Sequence, residues 1–178
     1  MLRNKKICFI GTGNMGEALV SGLVCSKATN TDNIVCTDIS EAKLETIAGK
    51  YKVRTTTDNV EAIKSSDIVI YAVKPQILAP VLKETAATLD MSKLIISIAA
   101  GVPLAAIESS LNKDLRLVRV MPNIAAFVKE SATAIAAGKN ASQDDIDLAK
   151  AIFDSVGNSV FIEENILMDA ITGLSGSG

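Results

Sequence analysis

The residues with the clearest chemical potential are three glycines near the start of the chain, in the run Gly11-Thr12-Gly13-Asn14-Met15-Gly16. They directly follow an apolar run that predicts a strand, and they open a segment with helical spacing. In that setting Gly11 allows a tight turn, Gly13 leaves the backbone open to a pyrophosphate, and Gly16 lets the helix pack closely on the strand. The first N–H groups of the helix would then face the phosphates. The alternative is a glycine-rich turn between strand and helix that binds nothing.

Asp38 is a second candidate, placed at the end of the second predicted strand. At this position of a dinucleotide-binding fold, an aspartate can accept hydrogen bonds from both ribose hydroxyls of NAD, and its charge would repel the 2′-phosphate of NADP. The nearest cation in sequence is Lys43, on the next predicted helix, so the residues favour NAD over NADP without deciding between them. The alternative role for Asp38 is a cap for the helix that begins near Ser40, and one side chain could fill both roles.

Two further strand ends carry small residues and a single charge. Ala72-Val73-Lys74-Pro75 ends the fourth predicted strand, and Ile98-Ala99-Ala100-Gly101 ends the fifth. Because the carboxyl ends of the strands line the ligand crevice of a doubly wound sheet, small residues there leave room for a nicotinamide ribose and ring. Lys74 is the only charged side chain in these two segments. A solvated surface lysine is its alternative interpretation.

The elements that would position these residues alternate short β-branched runs with helical patterns, which is typical of parallel βαβ units. We predict strands over residues 6–10, 33–37, 53–55, 68–72, 94–98, 115–120, 131–137 and 159–162. We predict helices over residues 14–25, 40–50, 59–64, 75–89, 103–111 and 142–153. Pro80 is expected to bend or interrupt its helix. The predicted fold class is α/β, a doubly wound, mostly parallel Rossmann-type sheet with extra strands at its C-terminal edge.

Length, charge and cysteine content restrict the partners of the protein. The 178 residues, 48% of them hydrophobic, are enough for one domain with an ample core. A formal net charge of −2 gives no basic field to hold nucleic acid. Histidine is absent, which excludes a Cys/His zinc site, and we expect no metal. Cys8 and Cys36 fall in predicted strands, where we expect them to be buried as small hydrophobic residues.

No segment of the sequence has the pattern of a membrane anchor or a signal peptide. The first residues run straight into a predicted strand without the apolar region of a secretory signal. The longest apolar stretch, residues 94–100, is too short to cross a bilayer. We therefore expect a cytoplasmic protein with neither a membrane nor a nucleic acid as partner.

Taken together, the chemically distinctive stretches resemble the pyrroline-5-carboxylate reductase family. The matching pieces are Phe9 to Gly16, Ala72 to Gln76, Ser97 to Val102, Arg119-Val120-Met121-Pro122-Asn123 and Leu174-Ser175-Gly176-Ser177-Gly178. They occur in the family's order over essentially the whole chain. The first piece is generic to dehydrogenases, but the combination of the others with the terminal Ser-Gly-Ser-Gly is specific.

The resemblance implies the last step of proline biosynthesis, in which NADPH or NADH gives a hydride to the ring C=N carbon of 1-pyrroline-5-carboxylate. It also implies positions on the cofactor for particular residues. The pyrophosphate would lie on Ile10, Gly11, Thr12, Gly13, Asn14 and Met15. Thr37 and Asp38 would lie at the adenosine ribose and Asn59 on the adenine side. Ala72, Val73, Lys74 and Pro75 would follow the cofactor to a nicotinamide beside Ile98, Ala99 and Ala100.

The resemblance further implies a division of labour between two domains. In this family the Ser-Gly-Ser-Gly segment continues into a helical domain that makes the dimer and holds the substrate carboxylate. We therefore expect residues 1–178 to be one NAD(P)-binding domain cut off before that helical domain, inactive alone, from a full-length homo-oligomer. Two departures bear on this interpretation. Ile124-Ala125-Ala126 replaces the usual Thr-Pro-Ala, and Asp38 replaces residues that suit NADPH.

Two other functions compete with the imine reductase. A related 3-hydroxyacid dehydrogenase or an F420-dependent NADP reductase would share the N-terminal domain, and a non-catalytic NAD(P)-sensing module would keep the same cofactor residues. The Met121-Pro122-Asn123 piece with the terminal Ser-Gly-Ser-Gly favours the imine reductase. A protonated iminium is already electrophilic, so hydride transfer depends chiefly on positioning the two rings. The sequence names no catalytic residue.

Overall fold

Strands and helices alternate along the chain in the computed structural model, which describes residues 1–164 and 166–175. The strands are β1 Ile7–Ile10, β2 Ile34–Thr37, β3 Arg54–Thr56, β4 Ile68–Tyr71, β5 Leu94–Ser97, β6 Arg116–Met121, β7 Ser131–Ala137 and β8 Gly157–Phe161. The helices are α1 Asn14–Cys25, α2 Glu41–Tyr51, α3 Asn59–Lys64, α4 Pro75–Thr85, α5 Leu104–Leu111, α6 Gln143–Phe153 and α7 Ile166–Ser175.

The described strands form one eight-stranded sheet with the order β3-β2-β1-β4-β5-β6-β7-β8. The strands from β1 to β6 pair in parallel. β7 is antiparallel to β6, and β8 is parallel to β7. The predicted fold class, with its extra strands at the C-terminal edge, is confirmed. Since β1 pairs with both β2 and β4, the strand order reverses at β1, and a crevice opens there at the carboxyl ends.

Two apolar layers sandwich the sheet, because successive strand residues point to opposite faces. Ile7 and Phe9 of β1 pack in the layer with α1, α2 and α6. Cys8 and Ile10 pack in the layer with α3, α4 and α5. The predicted burial of Cys8 and Cys36 is confirmed, and burial raises the pKa of both thiols. A sheet covered on both faces explains why its central strands are apolar throughout.

The start of α6 is held by a capping box between the residue before the helix and its first turn. Ser142 is the N-cap residue and Asp145 completes a capping box, each side chain accepting from the backbone N–H of the other. The Asp145 carboxylate, fully buried, also accepts from Arg116 on β6, with Nε 3.1 Å from Oδ2. The ion pair therefore joins the first turn of α6 to the sheet beneath it.

Several boundaries differ from the sequence prediction. α4 ends at Thr85 and continues only as the 3-10 turn Ala86–Thr88, and it passes through Pro80 as one element. Pro103 is the residue before α5 and not its first turn. β8 begins two residues early at Gly157, whose φ of +151° and close approach to Ser131 exclude a side chain.

The helix α7 was not predicted. Only Leu174 and Ser175 at its end belong to a stretch that the sequence analysis singled out. The helix is placed by Met168, which is buried and packs against Met121, Ala134 and Ala136. Residues 176–178 of the Ser-Gly-Ser-Gly motif lie outside the described residues. Among the described helices, none combines the length and apolar character needed to cross a membrane.

Candidate dinucleotide-binding site

A cleft of about 380 Å³ opens at the carboxyl ends of β1, β2 and β4, where the strand order reverses. Most of the residues predicted to contact a cofactor line it together. The lining residues are Ile10, Gly11, Gly13, Thr37, Asp38, Ile39, Ser40, Lys43, Thr57, Asn59, Ala72, Val73, Lys74, Ile77 and Val81. Ligands of open α/β sheets bind at such a switch point.

The three glycines of the loop between β1 and α1 differ in what surrounds them. Gly11 has φ of +98°, and a Cβ there would lie 2.8 Å from the carbonyl oxygen of Ala72. A Cβ on Gly16 would lie 2.5 Å from the carbonyl oxygen of Gly11, so this residue permits close packing of helix on strand. Gly13, the residue before α1, has an ordinary φ of −68° and no atom within 4 Å of a Cβ position. The space at Gly13 and the N–H groups of α1 fit a pyrophosphate.

Asp38 is bonded to the glycine loop. Its Oδ2 accepts from the Thr12 backbone N–H at 2.9 Å and from Thr12 Oγ1 at 2.8 Å, while Oδ1 accepts from the Ser40 N–H at 3.0 Å. Ser40 is itself the residue before α2, so Asp38 is not the N-cap residue of this helix, although its carboxylate accepts from the residue that is. Partial burial by itself would raise the pKa of Asp38, but these hydrogen bonds outweigh it and hold that pKa below its usual value.

The hydrogen bonds of Asp38 limit what it can offer to a ribose. An ionised carboxylate has about four acceptor positions, and three are taken by Thr12 and Ser40. One position on Oδ1 remains, which suffices for one ribose hydroxyl rather than the two that the sequence suggested. Asp38 therefore holds the glycine loop against the end of β2 as well as facing the cleft.

Asn59, the first residue of α3, has its amide orientation fixed from two sides. Thr37 Oγ1 donates to Asn59 Oδ1 at 2.5 Å, and Asn59 Nδ2 donates to the Glu84 carboxylate of α4 at 3.3 Å. Thr37 is buried at the end of β2, and both Thr37 and Asn59 line the cleft. These contacts connect β2, α3 and α4 around one side of the cleft.

The remaining predicted residues lie at the cleft or next to it. Lys74 is exposed, lines the cleft and precedes α4, whose first residue is Pro75. The turn Ile98-Ala99-Ala100 follows β5 on the neighbouring strand and does not line the cleft, although the Ile98 N–H donates to the Tyr71 carbonyl at 3.2 Å. Thr12, Asn14 and Met15 lie in the loop and first turn of α1, outside the lining set.

Sequence reasoning missed an apolar part of the cleft wall. Ile39, 98% exposed, and Ile77, 48% exposed, both line it together with Val81. The available sequence signals were an isoleucine directly after the strand-ending Asp38 and the i, i+4 spacing of Ile77 and Val81 on α4. Ser40, Lys43 and Thr57 complete the polar side of the wall.

Comparison with known proteins places this cleft in a family. A family model described as "NADP oxidoreductase coenzyme F420-dependent" matches residues 6–101, which is more than half of the chain. The chain belongs to this family. The match to the coenzyme F420-dependent NADP oxidoreductases runs from β1 to the turn after β5 and so includes all the residues that line the cleft.

Beyond the family model, this oxidoreductase chain is similar to proteins named pyrroline-5-carboxylate reductase over nearly its whole length. One from Methanosarcina acetivorans is 48% identical over 99% of the chain and 65% of the relative. The structure of one from Coxiella burnetii matches with a TM-score of 0.94 and 35% identity, over 99% of this chain and 65% of that one. The resemblance that the motifs indicated is thereby confirmed.

A third similar protein carries a ligand. The pyrroline carboxylate reductase of Plasmodium falciparum, solved with NADP bound, matches with a TM-score of 0.88 and 31% identity, over 99% of this chain and 64% of that one. The chain thus spans somewhat less than two thirds of the relatives that it matches.

Proposed function

We propose that this chain is the dinucleotide-binding part of a pyrroline-5-carboxylate reductase, which carries NADH or NADPH for reduction of the imine of 1-pyrroline-5-carboxylate to L-proline. The observation that carries the proposal is the cleft at the switch point, lined by Gly13, Asp38 and Ala72 to Lys74. These motif residues are far apart in the sequence and come together at the cleft. The chain that contains them is 48% identical to a protein named pyrroline-5-carboxylate reductase.

The cofactor would lie across the cleft from the adenine side to the turn after β5. The pyrophosphate lies over Gly13 and the N-terminus of α1, where backbone N–H groups and the helix dipole favour anions. The adenine occupies the apolar wall formed by Ile39, Ile77 and Val81, since flat aromatic rings are held mainly by apolar contact. The nicotinamide ribose passes Ala72 and Val73 and directs the ring toward residues 98–100.

Both nucleotide forms have a partner at the ribose. The carboxylate of Asp38 offers one acceptor position to a ribose hydroxyl and repels a 2′-phosphate, which favours NADH. Lys43 and Ser40 line the same wall and offer a cation and a hydroxyl to a 2′-phosphate. We infer that NADH binds at least as well as NADPH and that neither is excluded.

The contribution of this chain to the reaction is placement of the dinucleotide. A bound NAD(P)H supplies the hydride, and a protonated imine is electrophilic without further activation. The residues of the cleft orient the cofactor and exclude water from one of its faces. We propose further that substrate contacts and self-association are made by the additional region that the longer relatives contain.

Calorimetric titration of the chain with NADH and NADPH, followed by an assay with 1-pyrroline-5-carboxylate, tests the proposal. We expect saturable binding of both nucleotides and no turnover by the chain alone. A chain that binds neither nucleotide would refute the cofactor role, and robust turnover would refute the division of labour. Hydride transfer to oxidised coenzyme F420, measured in the same assay, would favour the function that the family model describes.

A further inference from the structure

Arg119 is a buried cation that lies outside the cleft. It is 2% exposed and stands on β6 between Leu117 and Met121, which share its face of the strand. Its guanidinium donates to Glu164 at 2.9 Å and to Asp169 of α7 at 3.2 Å. Well-packed apolar residues often stabilise a fold as much as a buried ion pair does, so stability alone gives a weak reason for an arginine here.

Glu164 connects this arginine to the first turn of helix α5. The same Oε1 that accepts from Arg119 also accepts from the backbone N–H of Leu104, at 2.9 Å, in the first turn of α5. Asp169, in contrast, is 67% exposed at its side chain, and within the described residues its ion pair is with Arg119. One carboxylate oxygen therefore joins β6, α5 and the segment that leads into α7.

The contacts of Arg119 and Glu164 connect the two ends of the β5–α5 loop, residues 98–103. At the start of this loop Ser97 pairs with Arg119 in the sheet, and at its end Leu104 is bonded to Glu164. Within the loop the hydrogen bonds are long, 3.4 Å from the Val102 N–H to the Ala99 carbonyl, and Gly101 adopts φ of +72°. The shorter bond at the far end of the loop, 2.9 Å long, is the one from the Leu104 N–H to Glu164.

We propose that Arg119 and Glu164 are positioning residues that hold the β5–α5 loop against the nicotinamide end of the dinucleotide. The inference rests on the proposed function, which places the nicotinamide beside residues 98–100. Glu164 lies in the segment before α7. The same contact therefore links the position of the β5–α5 loop to the position of α7. None of the hydrogen bonds that Arg119 and Glu164 make here reaches β2, α3 or α4, which build the adenine half of the cleft.

The test compares two probes, of which only one carries the nicotinamide ring. NADH and ADP-ribose are titrated calorimetrically into the parent chain, Glu164→Ala, Glu164→Gln and Asp169→Ala. Loss of a hydrogen-bonded charge at Glu164 should weaken NADH about tenfold and change ADP-ribose by no more than about twofold. Glu164→Gln keeps an oxygen for the Leu104 N–H and should recover most of the lost affinity. Asp169→Ala, the matched control, should leave both probes within about twofold.

The pattern of losses decides between positioning and a merely structural role. Equal weakening of NADH and ADP-ribose by Glu164→Ala, or an unchanged ratio of the two, would overturn the proposal while leaving the proposed function standing. If the parent chain binds neither probe, the proposed function fails and this inference fails with it. The fluorescence of bound NADH gives a second readout, since a displaced loop changes the surroundings of the nicotinamide and leaves those of the adenine unchanged.

Discussion

Gly13→Val is the substitution that separates the role of the glycine loop in binding from its role in folding. The residue has φ of −68°, which valine adopts without strain, and a Cβ there meets no atom within 4 Å. The expected loss of stability is therefore limited to a poorer residue before α1, about 1 kcal/mol. For a chain of this size that corresponds to a decrease in Tm of roughly 2–4 °C.

The same side chain should abolish tight binding of the dinucleotide. It occupies the space over the N-terminus of α1, so the pyrophosphate loses one or two hydrogen bonds from the backbone. Each bond to a charged group is worth about 1.5–3 kcal/mol, so we expect affinity for NADH to decrease about a hundredfold or more. Calorimetry gives the affinity, and a thermal melt of the same sample gives the stability.

Gly11→Ala provides the control, because a smaller side chain should do more damage to the fold. Its φ of +98° and the 2.8 Å from a Cβ to the Ala72 carbonyl oxygen combine backbone strain with a steric clash. Each costs about 1–3 kcal/mol, or about 2–6 kcal/mol together. Undiminished NADH binding by Gly13→Val would refute the pyrophosphate placement. A Gly13→Val variant as unstable as Gly11→Ala would refute the open space inferred at Gly13.

Two further predictions concern carboxylates. Asp38→Ser should raise the ratio of NADPH to NADH affinity about tenfold, since repulsion of the 2′-phosphate is removed and a hydroxyl remains; an unchanged ratio in parallel titrations would contradict the ribose placement. Burial alone would raise the pKa of Asp145, but hydrogen bonds from Arg116 and Ser142 outweigh it and keep that pKa below its usual value. Its contribution to stability is thus present above about pH 4 and lost as the pH falls further. Urea unfolding at pH 6 and pH 3 should show a larger loss for the parent than for Asp145→Asn, and equal losses would contradict this.

Local patterns predicted the elements whose ends are marked by their own residues. α1, α3 and β7 have the predicted bounds, and α3 begins after Asp58, whose side chain accepts from the Glu61 N–H at 2.9 Å. Helix α7 was not predicted because its apolar face is short and lies beside a glycine-rich run. Its packing on β6 and β7 is what identifies it.

The contacts that refine the site are long-range, and that is why the sequence did not indicate them. Asp38 meets Thr12 across 26 positions of the chain, and Glu164 meets Leu104 across 60. Spacing predicted that Asp38 would be near a ribose, but it could not predict which donors the carboxylate would already satisfy. The fold class, in contrast, could be predicted from the alternating pattern, because right-handed βαβ units leave few alternative topologies.

The position of β1 between β2 and β4 has a consequence for how the protein folds during synthesis. Lys6, next to β1, is bonded to Asp67, 61 positions later, and the Ala72 N–H donates to the carbonyl of Ile10. During synthesis β1 and the glycine loop therefore leave the ribosome long before one of their two neighbouring strands exists. Until β4 emerges, four strand residues that end almost fully buried stay exposed to other chains and to chaperones. The cofactor cleft needs β2 and β4 on either side of β1. A nascent chain therefore cannot form the cleft until β4 has left the ribosome.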